Sequence, residues 1–149
     1  LCKAAVALLG VLVTLNIRYS NILYLKADVM QTQMISYYTT LITRIESIEG
    51  YTEDAQVVYI GEYDKHDKNL VGISEYFDDL DLATYKGEPI FNDYAWKEAM
   101  EFWCGFAPEL GDAAEFDGNA EVASMPCYPD QGSIRCINGK IVVKFADEP

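Results

Sequence analysis

An apolar run opens the chain, and its length decides how it is interpreted. Residues 4–17 read AAVALLGVLVTLNI, with one strongly polar member. A bilayer span needs about 20 apolar residues. The run reaches that length if it continues through residues 22–25, with Arg18 and Lys26 extending their charges toward the membrane surface. We therefore expect the end of a transmembrane helix over residues 1–25, in a chain that is a fragment of a longer protein; a signal segment and a buried core helix are the alternatives.

An amphipathic pattern follows. Apolar residues recur every three or four positions, which predicts a helix over residues 28–49 whose apolar face belongs to the core. Asp28 suits the first turn, and Gly50 can adopt the left-handed conformation that ends a helix. The apolar positions are Met30, Met34, Tyr37, Tyr38, Leu41, Ile45 and Ile48.

A short apolar run after this helix predicts a strand. Residues 56–60 read QVVYI, between an acidic turn and Gly61. Because polar residues do not alternate with apolar ones, we expect this strand to be covered on both faces and to lie in the middle of a sheet.

Two further helices and a hairpin complete the pattern. A helix is expected from Asn92 until Gly105 and Pro108 stop it, and a shorter one from residue 117 or 119 to Met125. Asn138-Gly139 lies between two β-branched runs, which is a strong signal for a two-residue hairpin.

These elements predict an α/β fold. About three strands form a small sheet flanked by helices, and the apolar, transmembrane-like helix precedes it. The 149 residues provide enough chain for one domain with a core. We expect residues 26–149 to form this α/β domain, on the extracytoplasmic side of the membrane.

Charge is distributed unevenly and argues against one class of partner. Residues 1–27 contain Lys3, Arg18 and Lys26 and no acid, whereas all 24 acidic residues lie in 28–149. The net charge of the chain is −13. Because nucleic-acid affinity depends on Lys and Arg at the phosphates, we expect no nucleic acid as a partner.

Candidate metal and acid-base residues are few. His66 is the single histidine and lies in a polar loop, so we assign it no chemistry. Asp79 and Asp81 form a DxD pattern that holds a divalent metal in some glycosyltransferases, but in so acidic a chain a solvated acidic turn is the favoured interpretation. We expect no metal site and no cofactor.

Aromatic residues concentrate between residues 91 and 106 and allow two interpretations. They form part of the core, or they provide a surface on which sugar rings stack. The second interpretation makes Trp96 and Trp103 candidate glycan contacts, and exposure decides between the two. The aromatic residues are Phe91, Tyr94, Trp96, Phe102, Trp103 and Phe106.

The cysteines suggest one pairing. Cys127 and Cys136 flank a turn and a strand and could form a disulfide outside the cytoplasm, with buried thiols as the alternative. Cys104 would then remain unpaired, and Cys2 lies near the membrane.

Four stretches that together cover nearly the whole chain carry a family resemblance. They are the apolar segment leading into Tyr19-Ser20-Asn21 and Tyr24; Arg44-Ile45-Glu46 with Gly50-Tyr51; the strand 57–61; and the closing run from Met125-Pro126-Cys127-Tyr128-Pro129 through Gly132-Ser133 to Val142-Val143-Lys144. This ensemble resembles the C-terminal end of bacterial membrane-embedded glucosyltransferases of the Gtr type II family.

The resemblance implies transfer of glucose from a polyprenyl-phosphate-linked donor to a cell-surface glycan. Its catalytic acid would lie in an early extracytoplasmic loop outside this chain, so no residue here is assigned as catalytic. The domain would be accessory, with the membrane, the upstream transmembrane region of the same protein and a glycan acceptor as partners. A single-span extracytoplasmic binding or sensor domain is the alternative; a free-standing soluble enzyme is disfavoured because no nucleophile-base pair or phosphate-binding loop is evident.

Overall fold

The computed structural model describes residues 2–61 and 95–146. It confirms the α/β fold, with a long apolar N-terminal helix, a small mixed sheet and a few short helices. The elements are α1 (Cys2–Glu46), β1 (Val57–Ile60), α2 (Ala95–Cys104), a 3₁₀ helix (Ala113–Phe116), α3 (Ala120–Ala123), β2 (Ile134–Ile137) and β3 (Lys140–Lys144).

Helix α1 is one continuous element of 45 residues, about 67 Å long at 1.5 Å per residue. The predicted start at Asp28 is wrong, because neither glycine nor proline occurs between residues 11 and 49 to interrupt the helix. The predicted end is late by three residues. The helix stops at Glu46, and Gly50, with φ +92°, lies in the turn that follows.

The sheet has the order β1-β3-β2, with β1 parallel and β2 antiparallel to β3. The expectation that the strand at 57–60 is central is therefore wrong among the described strands, since β3 occupies that place. The segment that follows α2 forms hydrogen bonds with the outer edge of β1. Val57 donates its N–H to the Glu109 carbonyl, and Gly111 donates its N–H to the Val57 carbonyl. The prediction that both faces of this strand are covered is confirmed, because Val57 and Val58 are both fully buried.

Local signals for the later elements are confirmed. Asn138 and Gly139 have φ values of +54° and +79° and join β2 to β3, as a type I′ turn requires. Gly105, with φ +69°, follows the last residue of α2 and donates its N–H to the Glu101 carbonyl. Asn119 caps α3 by accepting hydrogen bonds from the N–H groups of Glu121 and Val122. The expected helix start at Asn92 lies outside the described residues.

The sheet separates two apolar clusters. Alternate strand residues point to opposite faces, so helices α1 and α2 cover one face and the 3₁₀ helix and α3 cover the other. The first cluster contains Met34, Tyr38, Leu41, Ile42, Ile45, Ala55, Val57, Ala99, Met100, Phe106, Ile134, Ile141, Val143 and Phe145. The second contains Val58, Phe116, Val122, Met125, Ile137 and Val142.

A buried lysine ties α3 to the sheet. Lys144, at the end of β3, is only 2% exposed. Its Nζ donates to the carbonyl oxygens of Val122, Ala123 and Met125 at 3.2, 3.3 and 2.9 Å. These are carbonyls that the end of a short helix leaves without intrahelical partners. The Lys144 ammonium therefore supplies hydrogen-bond donors that a further helical turn would otherwise supply.

We expect Lys144→Met to lower the free energy of unfolding by about 2–3 kcal/mol, because the Ala123 and Met125 carbonyls lose the ammonium donor, while the Val122 carbonyl keeps the Met125 N–H. The matched control is Lys140→Met on the same strand, where the lysine forms an exposed ion pair with Glu115; it should cost less than about 1 kcal/mol. Urea unfolding of the full chain in detergent micelles measures both. Equal losses in the two variants would contradict a special role for Lys144.

Candidate functional site

The first half of α1 is an apolar helical surface outside the core. Residues 3–18 are all exposed. Within α1, burial among the described side chains begins at Met34. The helix is long and apolar enough to cross a membrane, and its most apolar 18-residue window is 0% buried. Within the described residues this segment is therefore not part of the core, which favours a membrane span or a signal segment. The exposed apolar residues are Val6, Leu8, Leu9, Val11, Leu12, Val13, Leu15 and Ile17, with Tyr24 and Leu25 further on.

The spacing of charges along this helix matches a bilayer. From Lys3 to Lys26 the axis rises by about 35 Å, compared with a hydrocarbon thickness of about 30 Å. Met34, the first buried residue, lies about 12 Å beyond Lys26 on the same axis. A bilayer around the apolar half would therefore reach close to the α/β domain without overlapping it.

A row of aromatic rings joins α1 to the sheet. Tyr37 contacts Tyr128 edge to face, with ring centroids 5.7 Å apart. Tyr128 contacts Phe145 in the same way at 5.8 Å, and Phe145 stacks on Tyr59 at 5.9 Å. Two cations lie over rings of this row: the Arg44 guanidinium is 5.4 Å from the Tyr128 centroid, and Lys97 Nζ is 5.9 Å from that of Tyr59. Burial raises the pKa of Tyr59 well above its usual value of 10.

These contacts orient the domain on the helix. Tyr37, nine residues before the end of α1, is linked through Tyr128 to Phe145, just after β3. The chain after α1 instead approaches the start of β3, where a Cβ on Gly50 would lie 3.1 Å from Cys136 Sγ and Cys136 pairs with Ile141. Helix α1 therefore runs antiparallel to β1 and β3, and the carboxyl ends of these strands point toward its apolar half.

The second candidate surface lies on α2. Phe102 is 78% exposed and Trp103 48% exposed. Their rings are in edge-to-face contact, with centroids 4.9 Å apart and planes at 84°. Glu98, Ala99 and Glu101 border a shallow, open depression beside these rings. Aromatic faces and carboxylates here border the same solvent-accessible space.

The aromatic residues between positions 91 and 106 differ in their solvent exposure. Phe106 is buried in the core, whereas Phe102 and Trp103 face solvent, so one of the two candidate glycan contacts lies on an open surface. The side chain of Trp96 is outside the described part of the structure. The sequence analysis did not single out Glu98 and Glu101 as site residues. The signal was available, since residues 98, 101 and 102 share one helix face.

Metal and thiol chemistry gains no support in the described ranges. Residues 2–61 and 95–146 contain no group of three or more His, Cys, Asp or Glu side chains placed to hold a metal ion. His66 and the Asp79–Asp81 pair lie outside those ranges. Cys127 and Cys136 are present as thiols, as is Cys104, so the structure does not contain the considered disulfide.

Comparison of the chain with protein-family models, with curated proteins and with solved structures finds no match. The likeness to Gtr type II glucosyltransferases therefore stays a prediction from the residues quoted for it.

The aromatic row leads to a prediction about alkaline pH. Because folding raises the pKa of Tyr59 above 10, the neutral phenol favours the folded state, and this stability is lost as pH rises above 10. The loss should approach about 1.4 kcal/mol per pH unit. Urea unfolding in micelles at pH 9 and pH 11 measures it. Tyr59→Phe should lose less stability over this interval than the native chain, whereas Tyr24→Phe, which alters an exposed tyrosine, should behave like the native chain.

Proposed function

We propose that this chain is the membrane-anchored accessory domain of a glucosyltransferase that transfers glucose from a polyprenyl-phosphate-linked donor to a cell-surface glycan. One observation carries the anchoring: the most apolar window of α1 is wholly exposed, yet it belongs to the same helix that packs one stripe, between Met34 and Ile45, on the sheet. Exposed apolar area of this extent is stable when lipid or other transmembrane helices cover it. The family resemblance of the sequence supports the glucosyltransferase assignment.

An accessory role agrees with the chemistry of the described residues. Glycosyl transfer needs a carboxylate that activates the acceptor hydroxyl and a positive group near the leaving phosphate. Residues 2–61 and 95–146 contain no group of three or more His, Cys, Asp or Glu side chains placed to hold a metal ion. The family resemblance implies catalytic residues upstream, and we place them in the transmembrane region of the same protein. This domain would cover that region or hold the acceptor glycan.

The charge distribution supports an extracytoplasmic position. The cytoplasmic leaflet has a negative surface potential, and residues 28–149 carry all 24 acids of the chain. The geometry holds this acidic domain within about 12 Å of the end of the apolar segment. Repulsion would therefore be stronger at the cytoplasmic surface.

A second candidate is a single-span extracytoplasmic binding or sensor domain. The described chain contains one helix able to span a membrane, and that helix continues without a break into the core. Such a helix transmits a movement of the domain to the bilayer, as a sensor requires. This candidate predicts no loss of glycan glucosylation when the domain is removed.

Membrane anchoring predicts that the full chain stays in the membrane fraction after alkaline carbonate extraction. The double variant Leu9→Arg/Val13→Arg places two charges in the apolar segment at a cost of about 2.5–3.5 kcal/mol each, and it should move most of the chain to the soluble fraction. Thr32→Arg/Thr39→Arg, on exposed positions of the same helix beyond the segment, is the control and should leave the chain in the membrane. Equal extraction of both variants would contradict the anchor.

The glucosyltransferase assignment predicts a defect in the surface glycan. Removal of residues 47–149 from the natural protein in its host should lower the glucose content of that glycan at least about tenfold, provided that immunoblotting shows equal amounts of protein in the membrane. Sugar composition analysis of purified surface glycan is the measurement. Normal glucosylation without the domain would refute the accessory role and favour the sensor candidate.

A further inference from the structure

We propose that the outer face of α2, defined as Glu98, Glu101, Phe102 and Trp103 and called here the α2 platform, binds a neutral hexose glycan. This inference rests on the proposed function, in which the domain holds an acceptor, and it specifies the residues and the ligand chemistry. On this platform, exposed aromatic rings adjoin carboxylates in an open depression.

The rings have the shape that a sugar needs. Hexoses present flat patches of C–H groups, which pack on aromatic faces. The Phe102 ring is 78% exposed, so most of its surface is accessible. The Trp103 ring stands at 84° to it and forms the second wall of a corner. A hexose can stack on one ring and rest its edge on the other without movement of the backbone.

The carboxylates supply the complementary polar groups. Glu98 precedes Phe102 by one helical turn, and Glu101 is its neighbour, so both reach the rim of the depression. Ionised carboxylates are acceptors only, and sugar hydroxyls are donors that suit them. No basic side chain is among the described residues that line the depression. A glycan carrying acidic groups would therefore be repelled, which favours a neutral hexose.

A cationic ligand is the main competitor, because carboxylates and aromatic faces also attract cations. Aromatic cages for quaternary ammonium groups surround the ligand with several rings. Here the two rings contact each other at 4.9 Å, which leaves no space for a cation between them. The open corner suits a flat ring better than a spherical cation.

The position of the platform agrees with an acceptor that arrives from outside. Helix α2 begins near the carboxyl end of β1, where Lys97 lies over Tyr59. The chain that leaves it pairs with Val57 at the amino end of β1. The last turn of α2, with Phe102 and Trp103, is therefore directed away from the apolar half of α1 and toward the far end of the domain.

Calorimetric titration of the full chain in phospholipid nanodiscs tests the proposal. The probes are maltohexaose, mannohexaose and a neutral galactan hexamer, with tetramethylammonium as the cationic competitor. We expect at least one hexasaccharide to bind with a Kd on the order of 1 mM, with little change between 0.05 and 0.5 M NaCl. Phe102→Ala and Trp103→Ala should each weaken binding at least about fivefold, whereas Leu110→Ala, which shortens another half-exposed apolar side chain, should not.

Charge removal separates the two ligand classes. Glu98→Gln/Glu101→Gln retains acceptor oxygens, so affinity for a neutral hexose should fall by no more than about threefold, whereas a cation would lose its binding. Absence of saccharide binding by the folded native chain, or binding of tetramethylammonium alone, overturns the proposal. Near-ultraviolet circular dichroism verifies folding. Because this titration involves no glucosyl transfer, its failure is distinguishable from a failure of the glucosylation experiment.

Discussion

The packing of the second half of α1 on the sheet is the contact on which the other features depend. Tyr38, Leu41 and Ile45 are fully buried at spacings of three and four residues, so one stripe of the helix closes one face of the core. Their apolar area removed from water stabilises the domain by several kcal/mol. Because the helix continues unbroken toward the N-terminus, the same contact fixes the direction in which the apolar half leaves the domain. The exposed apolar half and the α/β domain thus share one element.

The elements that the sequence predicts correctly are those governed by local rules. Asn138-Gly139 demands a tight hairpin, and Asn119 has the side chain that caps a helix. Sheet order is different, because it depends on contacts between distant residues. Residues 57–60 and 140–144 are both short β-branched runs, and nothing local indicates which of them is central. The prediction of a helix start at Asp28 was wrong for another reason. A residue that suits a helix cap does not start a new helix when no glycine or proline before it interrupts the preceding one.

The candidate site could be predicted only in part. Helical periodicity places Glu98, Glu101 and Phe102 on one face, and this much was available from the sequence. Helical periodicity does not show whether a face is covered by other elements. Only the packing of α2 and the chain after it shows that Phe106 is buried while Phe102 is exposed. The exposed apolar half of α1 was predicted more fully. The uncharged run covers residues 4–17 and reaches the length of a span only with residues 22–25, so the sequence favoured a membrane helix over two alternatives.

If the apolar half of α1 spans a bilayer, as proposed, the unbroken helix makes the domain responsive to bilayer thickness. Spanning helices tilt by about 20° on average, and more in thin membranes. Between Lys26 and Glu46 the axis extends about 30 Å above the apolar segment, so a 20° tilt displaces its upper end sideways by about 10 Å. Because α1 contains no break that could absorb this rotation, the whole α/β domain tilts together with α1. Lipid composition alone could then set how far this unit extends over its neighbours in the membrane.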